Sequence, residues 1–128
     1  MSLTAPQIAV VAIALLHLVF MAGELLPWGA PKIMKVVLGK WPRTLDLSDN
    51  DRHLVAMIVH NAGVYNGIVA AGLFATLWAG AGSHVVQMAL LAGGIVAGLV
   101  GSVTLSSKTV LQAVAGIIAI CVVMFAPA

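Results

Sequence analysis

Polar residues gather at a few points along the chain and leave four long apolar stretches between them, over about 8–27, 54–79, 85–105 and 109–126. A helix needs roughly 20 predominantly apolar residues to cross the hydrocarbon core of a bilayer, and each stretch meets or nearly meets that length. None alternates with the period of two that a half-buried strand requires. Gly80-Ala81-Gly82-Ser83 separates the second stretch from the third, and Ser106-Ser107-Lys108 separates the third from the fourth. Links so short join antiparallel neighbours. The pattern predicts an all-α membrane protein, an antiparallel up-down four-transmembrane-helix bundle forming a single domain over 1–128.

The first connection carries a pattern of its own. Pro27 and Pro31 stop the first span, and beyond them Ile33, Val36, Val37 and Leu38 are interspersed with Lys32, Lys35 and Lys40. This predicts a short interfacial helix between spans one and two, with its apolar side in the headgroup zone and its lysines toward anionic lipid. Ser48 or Asp49 suits the N-cap of the second helix, whose positive end Asp49 and Asp51 complement. Trp28 and Trp41 suit one membrane interface and Trp78 the other.

Composition agrees with this and narrows the function classes. Apolar residues make up 62% of the 128 and charged residues only 8%, against about 25% charged in soluble domains. Mean hydropathy is +1.12. A net charge of +2 is too small for a nucleic-acid partner, and the single Cys121 excludes a disulfide scaffold. All six basic residues (Lys32, Lys35, Lys40, Arg43, Arg52 and Lys108) fall on one side of the four-span arrangement. The positive-inside rule then predicts a multi-pass protein of the inner (plasma) membrane, with both termini outside and the 28–53 connection cytoplasmic. Met1–Gln7 carries no Lys or Arg, so the first span is expected to be retained rather than cleaved as a signal peptide.

An ionisable side chain within a span costs at least about 2.5 kcal/mol and usually faces the bundle interior. Glu24, His17 and His60 are therefore the candidate catalytic residues, and Asn61, Tyr65, Asn66, Gln112 and Trp28 the candidate substrate contacts. At about 1.5 Å per residue from the span ends, Glu24 lies roughly 5 Å deep, His60 and Asn61 roughly 9–10 Å, and His17, Tyr65 and Asn66 roughly 15–18 Å. His17 and Glu24, seven residues apart, share a helix face. Each has a plainer alternative. Glu24 can reach headgroups or the lysines of the connection, and the histidines and amides can serve as glue between helices. A metal centre built from Glu24, His17 and His60 is not expected, because the three depths differ by about 10 Å, and no cofactor is implied. Glycines at 63, 67 and 72, and at 93, 94, 98 and 101, have the spacing of close helix packing, and the Gly93–Gly101 face would also suit a homo-oligomer.

Two segments carry a family resemblance: His17-Leu18 through Glu24-Leu25 to Trp28 and Pro31, and Asn61-Ala62-Gly63-Val64-Tyr65-Asn66-Gly67 continuing to Ala70-Ala71-Gly72-Leu73. With Gly101-Ser102-Val103-Thr104 and Lys108 to Gln112, they resemble bacterial four-helix integral membrane proteins, family thirteen-oh-four of the domains of unknown function. The resemblance spans nearly the whole chain, with a longer first connection and with His60 where a small residue is usual. It implies a membrane protein and no particular activity. His17, Glu24, Asn61, Tyr65, Asn66 and Gln112 match its motif positions.

The residues themselves suggest an intramembrane acid–base enzyme acting on a lipophilic small molecule by isomerisation, epoxide opening or cyclisation. Its architecture is similar to that of membrane sterol isomerases at the level of fold alone. A non-enzymatic accessory or lipid-binding protein is the alternative. A small proton-coupled exporter is a third, disfavoured because the one-sided basic residues do not suit a dual-topology dimer.

Overall fold

The computed structural model describes residues 3–26, 48–80, 82–104 and 107–126, apart from the side chain of Lys108. They form four helices: α1 (Ala5–Glu24), α2 (Asp49–Thr76), α3 (Ser83–Thr104) and α4 (Val110–Phe125), with a 3-10 turn at Ser107–Thr109 leading into α4. No strand occurs among the described residues. The interfacial helix expected in the first connection, with Trp28, Trp41, Lys32, Lys35, Lys40 and Arg43, lies outside them.

Local chemistry sets the helix ends. Thr4 precedes α1, its backbone N–H donating to Gln7 Oε1 at 2.9 Å. Pro6 sits in the first turn, where its missing N–H costs nothing. At the other end α1 stops at Glu24, three residues short of the apolar run's limit, because Pro27 disfavours helical geometry in the residue before it. α2 begins five residues before its apolar run. The Asp51 N–H donates to Ser48 Oγ at 3.2 Å and the Ser48 N–H to Asp51 Oδ2 at 3.3 Å, a reciprocal capping box. At about 1.5 Å per residue, the 28 residues of α2 reach roughly 42 Å and the 20 of α1 roughly 30 Å. α2 turns into α3 through Gly80, whose φ of +73° is left-handed backbone that glycine adopts without a Cβ penalty.

Each helix packs on two others in the ring order α1, α2, α3, α4. Matched positions run in opposite directions: a Cβ at Gly63 would meet the Glu24 side chain at 3.1 Å, and one at Gly67 would meet Met21 Sδ at 2.7 Å. Gly98 brings α3 against the backbone of α4, 2.6 Å from Ala113 N to its would-be Cβ. Neighbouring helices are therefore antiparallel, and small residues set their approach. The apolar core of Val10, Ile13, Ala14, Leu73, Leu91 and Ala119 fills the half of the bundle nearer the start of α1. The outer surface is apolar too, with Leu15, Val19, Ile58, Ile68, Val96 and Ile117 all exposed. α1, α2 and α3 are each long and apolar enough to cross a membrane, and α4 is a shorter apolar helix of 16 residues.

Candidate functional site

The half of the bundle without the apolar core contains a hydrogen-bonded chain across α1 and α2. His17 and Glu24 stand two turns apart on one side of α1. Asn66 lies on α2 between Gly63 and Gly67, where the two helices come closest. Its Nδ2 donates to Glu24 Oε2 at 2.6 Å, and its Oδ1 lies 2.6 Å from His17 Nδ1.

Donor and acceptor roles follow from the Asn66 amide. The Asn66 NH2 donates to the Glu24 carboxyl oxygen, so the Asn66 carbonyl faces His17. That carbonyl requires the proton on Nδ1, which leaves Nε2 of the neutral ring as a lone-pair acceptor. His17 is only 2% exposed. Its Nε2 is the one buried side-chain nitrogen or oxygen among the described residues with no hydrogen-bond partner. An unmet buried acceptor of this kind costs about 1–3 kcal/mol.

Nε2 faces α3 and α4. A Cβ added to Gly94 would stand 3.1 Å from His17 Nε2 and 3.9 Å from Gln112 Nε2. Gln112 is itself buried, at 8% exposure. Glycine at 94 thus lets the imidazole and the Gln112 amide converge on the α3 backbone. The arrangement resembles a carboxylate–imidazole pair with an amide inserted between its members. The amide transmits the carboxylate's field, not a proton, so Glu24 stabilises the imidazolium that would form if Nε2 accepted a proton.

The other residues singled out from the sequence are placed differently. His60 Nε2 donates to the Leu26 carbonyl at 3.1 Å, tying α2 to the chain just past α1. Asn61 and Tyr65, one turn apart, are exposed on the outward side of α2, Tyr65 at 62%. Trp28 lies outside the described residues. His53 and His84 are exposed near helix starts. The depth reckoning separated Glu24 from Asn66 by about 10 Å, whereas the two are hydrogen-bonded. The reason is that α2 starts well before its apolar run and overhangs the end of α1, so the two helices do not begin at one plane. Among the described residues no three His, Cys, Asp or Glu side chains gather as a possible metal site. On the glycine face expected to suit an oligomer, Gly94, Gly98 and Gly101 meet His17, Ala113 and Thr109 within the bundle, and Gly93 has nothing within 4 Å.

Sequence reasoning read Gly94 as a close-packing glycine and not as part of the site, and it did not find the role of Asn66 as the link between the two ionisable groups. The second was readable in principle. Gly63, Asn66, Gly67 and Ala70 share one α2 face, and a face of small residues marks the closest neighbour.

Fold and site together define a small antiparallel four-helix protein with an apolar exterior and a carboxylate–amide–imidazole chain inside it. The family model described as a protein of unknown function (DUF1304) matches residues 11–124, a stretch that includes the whole chain of contacts from His17 to Gln112, and this protein belongs to that family. No curated protein and no solved structure matches it.

Proposed function

We propose that this is an integral membrane enzyme whose four helices span the bilayer, with both termini outside and the 28–53 connection in the cytoplasm. In its cytoplasmic half it carries out acid–base chemistry on a lipophilic small molecule. The apolar exterior and the three long apolar helices support the membrane placement, and the one-sided basic residues support the orientation.

The observation that carries the enzymatic reading is the unpartnered Nε2 of His17, buried at the end of a chain that leads to Glu24. Glue between helices has no use for an acceptor left open. A base does, because its lone pair must be available to the substrate. His17 takes a proton from one atom of the substrate and becomes an imidazolium balanced through Asn66 by Glu24. It then returns the proton to another atom as the substrate's electron pairs rearrange. No net oxidation occurs, and the base is restored. Of the reaction types considered, isomerisation fits this cycle best, since epoxide opening and cyclisation call first for a proton donor.

The test is deuterium uptake from heavy water into candidate lipophilic substrates by purified protein in lipid nanodiscs. Turnover by the unaltered protein, falling about 100-fold in Glu24→Gln, is the expected result, at the lower end of what a positioned acid–base group contributes. Equal turnover in the variant removes Glu24 from the mechanism. No uptake into any candidate counts against the reaction class.

A further inference from the structure

We infer that the ligand this site takes is an uncharged lipophilic alcohol, whose hydroxyl lies between His17 Nε2 and the Gln112 amide beside Gly94. This deepens the reading above and rests on it for the lipophilic nature of the ligand. The hydroxyl itself follows from four features of the site.

First, Nε2 is an acceptor without a donor. Asn66 fixes the proton on the opposite ring nitrogen, so the ligand must bring an O–H or N–H to Nε2. Ethers, esters and ketones have none. Second, the Gln112 amide converges on the same point of α3, its Nε2 lying 3.9 Å from the position a Gly94 Cβ would take. A hydroxyl that donates to His17 can accept from that amide with its own oxygen. One small group thereby meets the unpartnered nitrogen and the amide beside it.

Third, the surroundings oppose charge. Ile13 and Ala14, one turn from His17, and Leu91, one turn from Gly94, belong to the apolar core. Neither a neutral imidazole nor an amide balances a buried carboxylate, and Glu24, the one carboxyl in the hydrogen-bonded chain, is held behind Asn66 rather than in contact with an ammonium at Nε2. Fourth, clearance is set by the missing side chain at 94. A methyl there would stand 3.1 Å from the imidazole nitrogen and crowd the approach to it.

The experiment reads binding without turnover. Protein labelled with nitrogen isotope in its histidine rings is reconstituted in nanodiscs and titrated with hexadecanol, its methyl ether, hexadecanoic acid and hexadecylamine, following the His17 Nε2 resonance. Hexadecanol should move that resonance saturably, and the methyl ether should bind at least about tenfold more weakly, the loss of one good hydrogen bond. Gln112→Leu should weaken the alcohol by about tenfold on the same ground, and Gly94→Ala should abolish the shift. The inference is overturned if the ether binds as well as the alcohol, if the acid or amine binds tighter, or if no probe moves the resonance. If Gly94→Ala does not fold, the alcohol–ether comparison on the unaltered protein decides alone. A saturable shift without deuterium uptake would sink the proposed enzyme and keep the alcohol site; uptake without the shift would do the reverse.

Discussion

Two polar clusters lie toward opposite ends of this bundle, each with one buried member, Thr76 or His17, and they are finished differently. Near the α2–α3 turn, the Thr76 hydroxyl donates to the Leu73 carbonyl at 2.6 Å and accepts from Gln87 Nε2 at 3.2 Å. The Ser83 hydroxyl stands within donating distance of both the Gly80 and Thr76 carbonyls, at 2.7 and 3.0 Å. These side chains bond back to their own or the neighbouring helix, and the cluster closes on backbone. The Glu24–Asn66–His17 chain uses bonds as short and crosses the same kind of helix contact. It begins on a carboxylate and ends on a bare nitrogen. Both clusters meet the general cost of burying polarity. Only the second retains an unsatisfied group after its internal bonds are made, and the proposed chemistry rests on that excess.

The contrast can be broken most forcefully at Asn66. Leucine there leaves the buried Nδ1–H of His17 without an acceptor and removes a charge-assisted bond from Glu24. Together these should cost about 2–4 kcal/mol of stability, measured by reversible unfolding in mixed micelles. Deuterium uptake should fall with it, because the imidazolium would lose its link to the carboxylate. A variant with full stability and full turnover would reduce the chain to an incidental contact.

Thr76→Val probes the closed cluster. It deletes one hydroxyl and leaves the Gln87 amide to find another partner in a half-exposed setting. About 1 kcal/mol of stability should go, in line with interhelical polar contacts in membranes, and turnover should not change. Equal costs for Asn66→Leu and Thr76→Val would mean that both clusters are glue.

The same pair of regions shows what a sequence of this kind discloses. The number of helices was legible because apolar runs of that length have few other uses, and the Ser48 start was legible because its capping chemistry is local. Glu24, His17 and Asn66 stood out because polar groups in apolar runs are costly. Their connection was hidden by longitudinal register. Counting from the ends of apolar runs assumes that all helices start at one plane, and the Ser48–Asp51 box starts α2 well ahead of that plane. Rotation hid the rest. At about 100° per residue, Tyr65 and Asn66 cannot share a face, so one motif sends Tyr65 outward and Asn66 inward. Gly94 carried no polar signal at all; its importance lies in what it leaves room for.

His60 supplies the smallest and finest cut. It resembles a site residue by type and depth, yet its Nε2 donates to the Leu26 carbonyl at 3.1 Å, closing on backbone as Thr76 does. It therefore belongs with the joints, although it lies in the half of the bundle that holds the site. His60→Ala should cost only about 0.5 kcal/mol, the low end for a hydrogen bond whose partner remains able to find other donors. Turnover should stay within about twofold, provided Glu24 keeps its place two residues before Leu26. His60→Gln, which can still donate to that carbonyl, should restore the lost stability. A much larger loss of turnover in His60→Ala, unrelieved by glutamine, would move His60 from the joint to the chemistry and extend the open chain by one titratable group.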